Sequence, residues 1–297
     1  MKQNAWLWYL ALAVVAGQYY FVSSVGTAPD EDLFTAIGWS SVLAVAAGLV
    51  LFRRGRSIGG SIGWSLVLVS LVLYLLGDLV YGALEEANGF VEFPSSADWL
   101  YLAMYPVIGV GIVLIRRSVA PGRDRAALLD AAAIGVAAFG AIGAIYMNGY
   151  LTDDTFGRTA QLAASAYPVF DVALVGLAAW LVVRGRPAPA CLWLVVSACA
   201  SIVVGNAVFN VAAISFSFEP GGVADLGWMA FMVLLGAAAL HPSVAVTQAP
   251  VDVPIARRTR RGGYAVLFAV AAVPAAQLRW GDTEDVATSV VTVALAV

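Results

Sequence analysis

Residues 60–117 read GSIGWSLVLVSLVLYLLGDLVYGALEEANGFVEFPSSADWLYLAMYPVIGVGIVLIRR. Two apolar runs, Gly60 to Leu84 and Ala97 to Ile115, flank a loop that carries Glu85, Glu86 and Glu92. Arg53, Arg54 and Arg56 precede the stretch, and Arg116 and Arg117 close it. A hydrocarbon core about 30 Å thick is crossed by about 20 apolar residues in a helix. Both runs are near that length, so the stretch reads as a transmembrane hairpin with arginines at one face and carboxylates at the other.

The same alternation extends in both directions. Further apolar segments run from Trp6 to Ser23, Phe34 to Phe52, Ala126 to Tyr150, Thr159 to Val183, Ala190 to Phe216, Val223 to Leu240 and Tyr264 to Gln277, with a short last one from Ala287 to Val297. Lys2, the 53–56 arginines, Arg116, Arg117, Arg123, Arg125, Arg184, Arg186, Arg257, Arg258, Arg260 and Arg261 occupy the N-terminus and every second loop. That is 14 of the 16 basic residues. The other loops hold Asp30, Glu31, Asp32, Asp153, Asp154, Glu219, Asp282, Glu284 and Asp285 beside the glutamates named above. The positive-inside bias therefore predicts a multi-pass membrane protein with a cytoplasmic N-terminus. The expected fold is an all-α polytopic bundle of about ten transmembrane helices, forming a single domain with the bilayer as its partner. The last segment is half the length of a span and reads as incomplete; completed, it returns the chain to the cytoplasm, where an output domain is expected to follow.

Composition agrees with this reading. Of 297 residues 61% are hydrophobic and 12% charged, with a mean hydropathy of +0.87, far outside the range of soluble domains. The charges are sorted by side, so no basic surface for nucleic acid results. Tyr19, Tyr20 and Phe21 stand where small residues precede a signal cleavage site, which argues for a retained first helix. Cys191 and Cys199 lie two helical turns apart in one segment, too far to bridge, and read as core residues. With His241 as the lone histidine, no metal or cofactor motif is present.

Two hairpins repeat. Gly77-Asp78-Leu79-Val80-Tyr81, Phe93-Pro94 and Ala97-Asp98-Trp99 return as Gly205-Asn206-Ala207-Val208-Phe209, Glu219-Pro220 and Ala224-Asp225 with Trp228. Corresponding segments, the third and the seventh, are offset by four, an even number, so the repeat is parallel rather than inverted. A weaker echo joins Tyr105-Pro106-Val107 to Tyr167-Pro168-Val169; the prolines free carbonyls inside their helices.

Polar groups in a bilayer interior are costly and mark candidate sites. Asp171 lies mid-span with Tyr167 one turn before it on the same face. Without a cation it is expected to be neutral and hydrogen-bonded to a helix neighbour, or to face a wet cavity. Asp78, with Tyr74 and Tyr81 on its face, and Asn206, with Asn210, lie nearer the outer end; interhelical hydrogen bonding and ligand contact both remain open for them. Asp98 and Asp225 open their helices, where a carboxylate serves as a cap. The ligand-sensing candidates are thus Asp78, Asp171 and Asn206, with Tyr81, Tyr105 and Tyr167 as partners. Trp6, Trp8, Trp39, Trp64, Trp99, Trp228 and Trp280 read as interfacial anchors.

A series of motifs carries a resemblance: Pro94 followed by Ala97-Asp98-Trp99-Leu100-Tyr101-Leu102-Ala103-Met104-Tyr105-Pro106, then Arg123-Asp124-Arg125-Ala126-Ala127-Leu128-Leu129-Asp130-Ala131, Ala166-Tyr167-Pro168-Val169-Phe170-Asp171, Ala224-Asp225-Leu226-Gly227-Trp228, and Gly236-Ala237-Ala238-Ala239-Leu240-His241-Pro242-Ser243. In order and spacing it resembles the N-terminal membrane region of actinobacterial GGDEF and GGDEF/EAL cyclic-di-GMP signalling proteins, over about Gly60 to Ser243. The resemblance implies a sensory input module that responds to a small ligand or membrane stimulus and pairs attached cytoplasmic domains in a homodimer. No GGDEF or EAL signature occurs in the chain, so no catalytic residue carries over. The rival reading is a small-solute or proton-coupled transporter with Asp171 as relay. An intramembrane enzyme would need a nucleophile and base at one depth, and His241 stands alone at a helix end.

Overall fold

The computed structural model describes residues 4–24, 42–52, 62–119, 157–182, 188–214 and 223–247. Helices α1 (Ala5–Ser24), α2 (Val42–Phe52), α3 (Ile62–Asn88), α4 (Ser96–Val119), α5 (Arg158–Val182), α6 (Ala190–Ile214) and α7 (Val223–Leu240) are followed by a 3-10 turn, Pro242–Thr247. No strand occurs among the described residues. Helices occupy the first, third, fourth, sixth, seventh and eighth apolar segments and part of the second. The fifth, ninth and tenth lie outside the described residues, as do Trp39, Trp280 and the side chain of Asn210. Among the described residues four helices are long and apolar enough to cross a membrane: α3, α4, α5 and the Ala190–Phe209 part of α6.

Each of these helices has one face turned inward, as the period of 3.6 requires. On α3 the buried positions are Val67, Ser70, Leu71, Tyr74, Gly77 and Asp78, while Val69, Val72, Leu76 and Leu79 on the opposite face are 43–50% exposed. Exposed Leu162 on α5 and Val204 on α6 continue the apolar exterior, which matches contact with lipid acyl chains. In lipid, helices associate through close packing, and small residues permit it. A Cβ on Gly63 of α3 would fall 2.9 Å from the carbonyl oxygen of Gly111 on α4. A Cβ on Gly227 of α7 would fall 2.6 Å from the Cα of Gly205 on α6. The α3–α4 and α6–α7 hairpins are therefore held backbone to backbone.

Between the hairpins lies α5, which runs parallel to α4. Asp98 meets Tyr167, Tyr105 meets Asp171 and Arg116 meets Trp180, in the same order along both helices. Arg116, expected in a loop, is instead 5% exposed within the last turns of α4. Its Nε–H donates to the carbonyl of Trp180 at 3.2 Å, and the guanidinium lies 5.4 Å over that ring. This end of the bundle is called the arginine end below, and the Glu92–Ser95 end the acidic end. Helices α4 and α5 run on through Pro106 and Pro168.

Trp64, read as an interfacial anchor, is a core residue at 1% exposure, and its indole N–H reaches Thr247 Oγ1 at 3.4 Å. Trp8 and Trp99 are 71% and 51% exposed, whereas Trp6 packs on the His241 ring at 4.8 Å. The His241-Pro242-Ser243 motif is a double cap. Ser243 Oγ accepts from the backbone N–H of Cys191 in the first turn of α6 at 2.9 Å. His241 Nδ1 accepts from the backbone N–H of Ser243 at 3.1 Å, and Ser243 Oγ lies 2.8 Å from the same nitrogen.

Partial burial holds the His241 imidazole below its ordinary range. The neutral ring is the form that caps, so its contribution is complete above about pH 6.5 and is lost as pH falls through the lowered value. Amide exchange at Ser243 and Val244 is expected to accelerate in that acid window; a rate that follows only the general pH dependence of exchange would contradict the cap.

Candidate functional site

The repeated hairpins share one polar device, built twice. In α3–α4 the ring of Tyr101 lies against Gly77, where a Cβ would collide with it, and the phenol donates to Asp78 Oδ1 at 2.8 Å. In α6–α7 the indole of Trp228 lies against Gly205, with Cδ1 at 3.0 Å from a Cβ there, and Nε1–H donates to Asn206 Oδ1 at 2.8 Å. Tyr101 and Trp228 are thus counterparts, each three residues after the helix-opening Asp98 or Asp225. The repeat as read from sequence aligns Trp99 with Trp228 and predicts an interfacial Trp228; the structure aligns Tyr101 with it and seats its indole against Gly205 and Asn206. The glycine lets the ring approach the neighbouring helix, and the next residue supplies the acceptor.

The two Tyr-Pro segments form a second, reciprocal pair. Tyr105 of α4 donates to Asp171 Oδ1 of α5 at 2.8 Å, and Tyr167 of α5 donates to Asp98 Oδ1 of α4 at 2.8 Å. Tyr167 shares a helical face with Asp171, yet its hydroxyl serves Asp98. The other oxygen of Asp98 accepts from the Ser95 N–H at 2.7 Å and from Ser95 Oγ at 3.0 Å, while Ser95 Oγ accepts from the Ala97 N–H at 3.2 Å. This is a capping box. Asp98 therefore both closes the start of α4 and ties it to α5.

Asn206 is the node. Its amide nitrogen donates to Tyr105 Oη at 2.8 Å and to Asp171 at 3.0 and 3.1 Å, and its oxygen accepts from Trp228. One side chain on α6 thereby joins α4, α5 and α7. Asp171 is 5% exposed and Tyr105 also 5%, with the Phe170 ring stacked on Tyr105 at 5.5 Å. Tyr74, packed on Tyr101 and Phe231, lies within electrostatic reach of Asp78 and Asp225. Asp225 is buried at 7% in the first turn of α7. Tyr81 is half-buried near Glu85 and Asp98 and is not hydrogen-bonded to Asp78 among the described residues.

At the acidic end a cleft of about 330 Å³ opens between Asn88, Phe90, Glu92 and Ser95, beside the cap of α4. Among the described residues no group of three His, Cys, Asp or Glu side chains is placed to hold a metal ion. Cys191 and Cys199 are buried free thiols.

Removing the Tyr167 hydroxyl leaves one oxygen of Asp98 without its donor while Ser95 keeps the other. Tyr167→Phe is expected to lower stability by about 1 kcal/mol, read as an earlier midpoint of unfolding in mixed detergent micelles; an unchanged midpoint would mean water replaces the phenol.

Over the described residues the fold and the network define an all-helical protein with four helices able to cross a membrane and a buried polar node linking helices. No protein-family model, curated protein or solved structure matches it.

Proposed function

We propose that the chain is the membrane-embedded input module of a bacterial signalling protein and performs no catalysis itself. In this reading it lies multi-pass in the plasma membrane with a cytoplasmic N-terminus, and a cytoplasmic diguanylate cyclase or phosphodiesterase, paired as a homodimer, is its output. The observation that carries the reading is the Asn206 node. Its bonds run between helices, so displacing any one of α4 to α7 breaks bonds held by another. Such a packed polar junction has discrete arrangements rather than a continuum, as a two-state transmitter requires. The resemblance of the motif series to cyclic-di-GMP signalling proteins supports the choice of output, and the alternating loop charges support the orientation. The cleft beside the α4 cap offers a small solute access to the acidic end of the network.

One observation favours transport instead: Asp171 lies near the midpoint of α5, where an intramembrane carboxylate serves as a proton relay. Proteoliposomes decide between them. The signalling reading predicts no solute uptake or proton flux that differs between wild type and Asp171→Asn. Flux that vanishes in the variant would overturn it.

A further inference from the structure

Counting hydrogens at the node shows which form of Asp171 it accommodates. An indole nitrogen only donates, so the 2.8 Å bond from Trp228 turns the Asn206 oxygen toward α7 and its NH2 group toward Tyr105 and Asp171. The Tyr105 hydrogen goes to Asp171 Oδ1. Every hydrogen of the node then has an acceptor, and Asp171 only accepts. A proton added to Asp171 competes with these donors. On Oδ1 it opposes the Tyr105 hydrogen at 2.8 Å and an Asn206 hydrogen at 3.0 Å, and on Oδ2 an Asn206 hydrogen at 3.1 Å; an Asn206 amide that turns its oxygen toward the added proton gives up the 2.8 Å bond from Trp228. Buried donors without acceptors are avoided in folded proteins.

We propose that protonation of Asp171 is the switch of this module. The ionised carboxylate holds α5 to α4 and to the α6–α7 hairpin through Asn206, and proton uptake releases α5 from that hairpin. The event forms one O–H bond on Asp171 with a proton taken from solvent, and reverses by returning it. The inference rests on the reading of the chain as an input module and names its regulation.

The groups facing Asp171 leave the carboxylate as the titrating member. Among the described residues the helices packed most closely against α5 are α4 and α6. From α4, Tyr105 faces it directly, Asp98 is separated from it by Tyr167, and Arg116 lies at the arginine end over Trp180. From α6 the facing group is the neutral Asn206, with the buried thiol of Cys199 two turns away. Tyr74, Asp78 and Asp225 belong to the neighbouring α3 and α7.

The test uses the whole chain in lipid nanodiscs, with Cys191 and Cys199 replaced by alanine and nitroxides placed at the exposed Val169→Cys on α5 and Val204→Cys on α6. Interspin distance and the carboxylic-acid C=O infrared band are followed over pH. The expected result is one transition in which the distance changes as the band appears. In Asp171→Asn the band is lost and the distance stays at its acid value throughout. Trp228→Phe, which frees the amide to turn its oxygen toward a protonated acid, moves the transition about one pH unit to the alkaline side. A distance that titrates alike in Asp171→Asn, or a band that never appears on acidification, would overturn the switch. A normal transition beside a fused cyclase whose output ignores pH sustains the switch and overturns the sensory reading instead.

Discussion

Alanine at Gly227 is expected to force α6 and α7 apart and to lower stability by about 2 kcal/mol. The new Cβ would lie 2.6 Å from Gly205 Cα, 2.7 Å from Gly205 N and 2.7 Å from the Ser201 carbonyl oxygen. All three are backbone atoms, so no side-chain rotation relieves the contact and the helices themselves must move. Trp228 is the next residue and moves with them, which weakens its 2.8 Å bond to Asn206. The comparison is Gly17→Ala on α1, where nothing lies within 4 Å of the added methyl and the better helix propensity of alanine favours a neutral or slightly stabilised protein. Unfolding midpoints in mixed micelles measure both. Equal behaviour of the two variants would mean that the close α6–α7 approach is not a constraint.

Replacing Asn206 by leucine has the largest expected effect, about 3 kcal/mol. The change leaves the Trp228 N–H without an acceptor and strips Asp171 and Tyr105 of the amide that donates to both. A buried polar group without its partner costs about 1–3 kcal/mol, and more for a charge; leucine's own packing returns only part of that. Because Trp228 and Asn206 share one bond, Trp228→Phe combined with Asn206→Leu should cost less than the sum of the two single changes. Strict additivity would show that the bond carries no energy.

The sequence made much of this legible. The lengths of the apolar runs and the loop charges located the segments on which the long helices lie, and the Gly-Asp and Gly-Asn repeat marked the two hairpins. It placed Asp171 near the middle of a helix and Asp98 at the start of another. It set Tyr167 one turn before Asp171 on one face but did not show that the phenol reaches Asp98, because a helical wheel reports neighbours on one helix and carries nothing about the register of the next. Tyr101 was passed over and Trp228 assigned to an interface for a related reason: aromatic residues near helix ends serve lipid headgroups as readily as they serve a buried partner. The signal that distinguishes them was present as Asp98-x-x-Tyr101 and Asp225-x-x-Trp228, three residues apart and therefore one face of a helix turned toward the repeated glycine. Trp64 and Arg116 went astray likewise, each polar tip finding a protein partner rather than the membrane surface.

The proposal that the node transmits a signal is tested most directly by cyclic-di-GMP output from the whole chain fused upstream of a diguanylate cyclase, measured in cells for wild type, Asp171→Asn and Asn206→Leu at matched membrane levels. The predicted result is that wild-type output changes across a range of external conditions, pH among them, while both variants hold one fixed level throughout. Variants that respond as fully as wild type would contradict it.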